Sequence, residues 1–501
     1  MGEWLVAWVI SLQSFLWGYG VSALNSAVGK RGQHPGLLSN DLQLNNLELQ
    51  LLTASTIAGA WLGCIVSSYP ADRFGLRLTT LCNNSLFIGG SLLCIVPTFE
   101  VLLTGRLVLG LAIGIGCNVA PVLLSEIAPS SSRGQITSLH QLQITIGILV
   151  VGVMSFVLVK NVPQGWRYLL SFPAVIATLQ LLLSPYVPES PRWLIQRGRH
   201  AEAAATLQWL RGEAQTDDIE GELMQIQDNL DKEKEGDSGS LMDVLREPKL
   251  LAVGFGLMFF SAMTGIDSVM FYSTKIFMFA GVSRPILSTV CVGTVNVLAT
   301  VLAFFLIDRV GRRPLLLIGN SLMAVSLAVL AWVLMGGGHL SVAMKGYVCV
   351  ALVLIYVVGF AVGLGAVAWV YLAEVVPFRI RNRAMSLFSQ EDWLWNLLIA
   401  ALSLSAMEAL GGGTDDASAE RGIAWLFLIF ACMSILALVF TWCLLKESKG
   451  NSSAHSMFSS ASSPNDTDND ENEDSTEKEK NAAADHHPER EALLKTNERL
   501  V

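Results

Sequence analysis

Apolar runs of about 20 residues recur along this chain, and each is long enough to cross a bilayer as a helix. No other feature restricts the fold so strongly. Inside hydrocarbon every backbone N–H and C=O must be satisfied internally, so a single long apolar run has to be helical. Hydropathy places about twelve such spans, centred near residues 14, 59, 87, 112, 147, 177, 261, 297, 325, 359, 395 and 433. A mean hydropathy of +0.50 with only 15% charged residues excludes a soluble globular protein of this size. The expected fold class is an all-α membrane protein.

Charge orients the spans. Arg73, Arg77, Arg133, Arg309, Arg312, Arg313, Arg379, Arg381 and Arg383 all fall in short connections on one side. The positive-inside rule assigns that side, both termini and the central loop to the cytosol. The formal charge of −9 is concentrated in the tail, where residues 446–501 carry 7 Lys/Arg against 13 Asp/Glu. The 8 cysteines sit almost entirely within spans and lack metal-ligand spacing, so they read as small buried hydrophobes. No metal or other cofactor is expected.

The chain repeats itself. "DRFGLR" (72–77) follows the second span and "DRVGRR" (308–313) the eighth; "EIAPSSSR" (126–133) follows the fourth and "EVVPFRIR" (374–381) the tenth. Two six-span halves of this kind suggest alternating access around a site at their interface. Glycine in D-R-x-G permits a tight turn. A charge network of Arg106, Glu126, Arg133, Asp308, Arg312, Arg313, Glu374 and Arg381, joined by Glu189 and Arg192, is expected to act as an inward gate. The competing reading, that these arginines only anchor topology, is weaker for four loops in a repeated pattern than for one.

The expected boundaries are 1–186 for the first half, 187–248 for a cytosolic helical linker, 249–445 for the second half and 446–501 for a disordered acidic tail. In the linker, Ala203, Leu207 and Leu210 share one face of an amphipathic helix. The linker is too short for an enzymatic domain and holds no nucleophile–base pair, so no enzyme activity is expected. The tail cannot bury enough apolar surface to fold. Near its end Glu489, Leu493 and Leu494 have the spacing of an acidic dileucine sorting signal. That implies endosomal or lysosomal membranes, with the plasma membrane as the alternative, and clathrin adaptors as partners.

At "PESPRWL" (188–194), together with the repeated motifs, the chain resembles the sugar porters of the major facilitator superfamily, the facilitative glucose transporters above all. "RGQITSLHQLQITIGIL" (133–149) is similar to that family's fifth helix, "GIDSVMFYSTKIFMFAGV" (265–282) to its seventh, "VNVLATVLAFFLIDRVGRRPLLLIG" (295–319) to its eighth and "GYGVSALN" (18–25) to its first. The resemblance implies two six-helix bundles and sugar contacts at Gln141, Asn296, Trp369 and Asn396, with a polar residue at Asn25. Thr137, Gln141 and Thr145 also share one helix face by their spacing. The bland alternative for each is an interhelical hydrogen bond.

Departures from the family pattern define the open question. The family's glutamine pair in the seventh helix is replaced by Ser261 and Ala262, and its following asparagine by Asp267. Asp392 replaces an asparagine in the eleventh helix. Gly20 stands where proton-coupled members carry an aspartate. "GLGAVAWV" (363–370) lacks the prolines of the tenth helix, so glycine must provide any bend. A carboxylate near mid-bilayer costs about 2.5–3.5 kcal/mol on insertion scales, so Asp267 is expected to face the bundle interior, with Ser261, Thr264 and Ser268 on its side. The first expectation is a facilitative carrier of a hexose or related small polar solute, with the bilayer and its substrate as partners and no nucleic acid. The second is a proton-coupled or cation-selective carrier using Asp267 and Asp392. The third is a non-transporting nutrient sensor.

Overall fold

The computed structural model describes residues 3–29, 32–129, 132–212, 219–235, 241–279, 285–337, 341–377, 380–413 and 416–448. The tail, with Glu489, Leu493 and Leu494, lies outside the described residues. No strand occurs among those described. Six helices form the first half: α1 (Glu3–Ala27), α2 (Asn46–Phe74), α3 (Leu76–Leu93), α4 (Phe99–Ile127), α5 (Arg133–Asn161) and α6 (Gly165–Leu182). The second half repeats the count. Its α7 runs in two pieces, Pro248–Met263 and Ile266–Phe279, followed by α8 (Pro285–Val310) and α9 (Arg312–Leu334). Then come α10, in pieces Val342–Phe360 and Ala366–Val375, α11 (Arg381–Gly411) and α12 (Asp416–Leu444). Among the described residues, ten segments are long and apolar enough to cross a membrane. The remaining two, α3 and α6, are 18 residues each and pack among them.

Local chemistry sets the helix ends. Asn45 and Glu48 form a capping box that starts α2, each side chain bonding the other's backbone N–H at 2.8 Å. Within the first half, α2 and α4 approach closely through Gly59, Gly63, Gly110 and Gly114. A Cβ at any of these would stand 2.0–2.3 Å from a backbone oxygen of the opposite helix. Without a hydrophobic drive between helices in lipid, such small-residue contacts supply the packing. An amide cluster ties the same half together. Gln13 donates to Asn84 (2.8 Å) and Gln180 (2.6 Å) and accepts from Asn83 (2.8 Å), linking α1, α3 and α6.

The linker packs on the ends of α1 and α4. Ala203, Leu207 and Leu210 are buried on the helix His200–Arg211, as their spacing predicts, and Leu210 joins the core of the first half. Arg211 ends that helix and bonds Glu222 (2.6 Å), Glu3 (3.0 Å) and the Ile127 carbonyl (2.9 Å). Burial opposes its charge, but Glu222 and Glu3 outweigh that and hold the guanidinium pKa above its usual value.

α10 does bend, and it does so at a glycine. Its helix widens at Ala361–Gly365, where Gly363 leaves helical geometry (φ −94°, ψ −109°). Gly363 lies against Gly319 of α9, so the bend is also a point of close backbone approach.

Candidate substrate site and motif-side latches

Both halves contribute to one central cavity of about 180 Å³. Gln141 and Thr145 reach it from α5, Asn296 and Thr300 from α8, Trp369 from α10, and Asp392, Trp393 and Asn396 from α11. Asp267 reaches it from α7 because that helix is broken. Thr264 and Gly265 interrupt the chain there, and Gly265 takes φ +90°. The break turns the second piece relative to the first. Ser261 and Asp267 therefore line the cavity, whereas Thr264 and Ser268 are fully buried and do not. The expectation that all four share one wall treated α7 as a single continuous helix and is corrected on that point.

Gln141, Thr145, Asn296, Trp369, Asn396, Asp267 and Asp392 thus line one cavity. Thr137 does not line the cavity; its hydroxyl bonds the Gly134 carbonyl at 3.1 Å, one turn back. Asn25 is also elsewhere, donating to the Met270 carbonyl at 3.3 Å across the two halves. Sequence reasoning missed Trp17 and Trp393. Their rings meet across the halves at a centroid distance of 5.6 Å, and both line the cavity. Their signal was present in "FLWGYG" and "EDWLWN", where an indole sits among polar or glycine neighbours inside a span.

At the end away from the arginine motifs, polar contacts bridge the halves. Asn46 of α2 donates to Glu408 of α11, and Ser405 bonds Gln50 at 3.0 Å. With the Asn25 contact, these join the two halves at that end.

The motif end carries a duplicated latch. Gly75 and Gly311 adopt nearly the same dihedrals, φ 94°, ψ 161° and φ 102°, ψ 166°. Each opens the helix that follows. Glu189 accepts from the amides of Leu76 (2.9 Å) and Arg77 (3.1 Å), and Glu447 from those of Arg312 (2.9 Å) and Arg313 (3.1 Å). A carboxylate at a helix N-terminus satisfies unpaired donors and complements the dipole. The neighbouring serines repeat as well: Ser190 donates to Glu126, and Ser448 to Glu374 at 2.7 Å. Thus "ES" at 189–190 and 447–448 each join a D-R-x-G turn to an E-x-x-P glutamate. The arginines differ between halves. Arg312 forks onto Glu374 with its closest contact at 2.7 Å, whereas Arg192 meets Glu126 at 3.9 Å.

Three expected members of the network are placed differently. Glu189 acts as a helix cap. Arg313 reaches the Trp442 carbonyl (2.9 Å) and lies over its ring. Arg106 is fully buried near the opposite end of α4 and donates to the Gly20 carbonyl at 2.8 Å. Because α4 runs from Phe99 to Ile127, Arg106 and Glu126 sit at opposite ends of one helix. The side chains of Arg133, Asp308 and Arg381 lie outside the described residues.

Two helical halves around a cavity lined by amides, carboxylates and indoles, bridged at one end and each carrying its own latch at the other, define a membrane carrier. The chain belongs to the sugar porter family of the major facilitator superfamily: the family model "Sugar (and other) transporter" matches residues 6–457. It is 35% identical to the putative metabolite transport protein YwtG of Bacillus subtilis over 88% of this chain and 94% of that one. It is 32% identical to the glucose transporter GlcP of Staphylococcus epidermidis, covering 90% and 95%. Canine facilitated glucose transporter member 3 is 30% identical, covering 88% and 89%. Among solved structures, the proton:xylose symporter XylE bound to 6-bromo-6-deoxy-D-glucose superposes with a TM-score of 0.71 at 26% identity, covering 91% of this chain and 98% of that one. The partially occluded inward-open form of Escherichia coli XylE gives 0.73 at 24% identity, covering 89% and 98%, and shares the fold.

Proposed function

We propose that the central cavity is the substrate site of an alternating-access carrier for a hexose or a related small polyhydroxylated solute, moved by facilitated diffusion. One observation carries the reading. Gln141 of the first half and Asn296 and Asn396 of the second face a single cavity walled by Trp17, Trp369 and Trp393. Amides both donate and accept, so they match hydroxyl groups, and indoles cover the apolar face of a sugar ring. Binding that needs both halves couples occupancy to their relative motion. The latches at Gly75–Glu189 and Gly311–Glu447 hold each half's motif end as one piece during that motion, and Arg192–Glu126 and Arg312–Glu374 belong to the same gate.

Purified protein in liposomes tests this by counterflow with a panel of sugars, polyols, amino acids and organic cations. A hexose or polyol should exchange. Gln141→Ala should raise KM on the order of tenfold, since losing one buried hydrogen-bond partner costs about 1–3 kcal/mol. Exchange of amino acids alone would refute the substrate class. The tail motif Glu489, Leu493, Leu494 supports residence in endosomal or lysosomal membranes through clathrin adaptors, with both termini cytosolic. A non-transporting sensor has no comparable support.

A further inference from the structure

The reading above leaves two lining residues unused. Asp267 and Asp392 face the cavity from α7 and α11, and no lysine, arginine or histidine lines it with them. Among the described residues, neither carboxylate forms an ion pair or a side-chain hydrogen bond. The backbone carbonyl of Asp392 is taken by the Asn396 amide at 3.0 Å, but its carboxylate is not. Glu391, the neighbouring acid, bonds Trp395 at 2.8 Å and does not line the cavity. Tyr356, which lies within electrostatic range of Asp267, spends its hydroxyl on the Thr264 carbonyl at 3.0 Å. The two aspartates are therefore the ionisable groups in the cavity wall that have no described partner.

Their surroundings indicate what would match them. A buried carboxylate without a cation is costly, and a ligand ammonium group would compensate it by pairing. Three indoles, Trp17, Trp369 and Trp393, line the same space, and an indole face attracts cations better than the other aromatic rings do. Lining amides on both halves still suit hydroxyls. The cavity thus has a hydroxyl-binding set, Gln141, Asn296 and Asn396, and a cation-binding set, Asp267 and Asp392 with the tryptophans. A neutral hexose uses only the first.

We propose that the preferred substrate is a polyhydroxylated solute bearing one protonated amine, an amino sugar or amino polyol, with its ammonium group held by Asp267 and Asp392. This rests on the carrier reading and narrows its substrate class. It assigns the two carboxylates to the solute's charge and not to a co-transported proton.

The test uses the full chain in liposomes and three probes matched in ring shape: glucosamine, N-acetylglucosamine and glucose. Glucosamine should exchange with a KM at least roughly tenfold below that of either neutral sugar, equivalent to about 1.4 kcal/mol. In the Asp267→Asn, Asp392→Asn double variant that preference should collapse, with the KM for glucosamine rising to that of the neutral sugars. Each single variant should lose part of it, which separates a charge effect from misfolding. Three results would overturn the proposal: equal handling of glucosamine and glucose by the unmodified chain, a preference that survives the double substitution, or uphill glucose uptake driven by a pH gradient and lost in that variant. In each of these the carrier reading stands. If folded protein exchanges none of the probes nor any solute of the wider panel, the carrier reading falls as well.

Discussion

Replacing Gly75 by alanine strikes the first latch at two points. The residue sits at φ 94°, ψ 161°, a region open in practice only to glycine, and holding another residue there costs about 1–3 kcal/mol. The added Cβ would also stand 2.2 Å from the Glu189 carboxylate, which must move and release the amides of Leu76 and Arg77. A hydrogen bond to a charged group contributes about 1.5–3 kcal/mol, and the exposed bond to Arg77 recovers much of its share from water. Together these predict a destabilisation of roughly 3–5 kcal/mol. Gly311→Ala is the internal comparison. Its dihedrals are the same, but its Cβ would lie 2.9 Å from the Glu447 carboxylate, so a small shift of that group suffices. The expected cost falls to about 1–3 kcal/mol, the dihedral term alone. Gly89→Ala is the control: nothing lies within 4 Å, and alanine in a helix interior should stabilise by roughly 0.5–1 kcal/mol. Equilibrium unfolding of the purified protein in mixed detergent–SDS micelles gives all three values. The reasoning is refuted if Gly75→Ala costs no more than Gly311→Ala, because the carboxylate clash then contributes nothing.

Two further outcomes can be checked on the same material and in cells. Glu374→Gln removes the charge that faces the Arg312 fork but keeps the shape, so the maximal counterflow rate should change several-fold to about a hundredfold with little effect on KM; a shift confined to KM would show that the pair belongs to the binding site. Replacing Leu493 and Leu494 by alanine should raise the amount of protein accessible to surface labelling, and an unchanged surface pool would mark the motif as a chance match.

Much of the fold was legible because lipid leaves a span few options. A run of apolar residues long enough to cross must be helical, so hydropathy points to the long spans, and α3 and α6 are the weakest of the twelve by that measure. The duplicated motifs place equivalent turns at Gly75 and Gly311, and the dihedrals there agree to within 8° in φ. The partners of Glu189 and Glu447 were less visible, because a carboxylate near a basic motif reads equally as an ion-pair member or as a helix cap. Sequence spacing also misplaced Thr264 and Ser268. A helical wheel assumes an unbroken helix, and Gly265 within an apolar run looks like any packing glycine until its φ of +90° is seen. Trp17 and Trp393 escaped for a similar reason: tryptophan in a span reads as lipid-facing or core, and only tertiary contact shows two of them meeting across the halves.

Arg106 lies apart from the cavity's acids. The guanidinium is fully buried and donates to the backbone carbonyls of Gly20 (2.8 Å) and Leu52 (3.5 Å). Glycine at 20 brings no carboxylate to this arginine, so its described bonds are to neutral oxygens. The acids instead lie on α7 and α11, in the second half, where they share the cavity with Gln141 of the first. Moving one half against the other therefore changes the distance between an amide that can hold a hydroxyl and carboxylates that can hold a cation. A solute that satisfies both is bound best in the arrangement that brings them together, and differential binding of that kind is what biases a two-state carrier. A solute that satisfies only one side binds both arrangements more nearly alike and shifts their balance less. On the amino-sugar proposal, the position of the two carboxylates, and not their number, is what would couple substrate recognition to the motion of the halves.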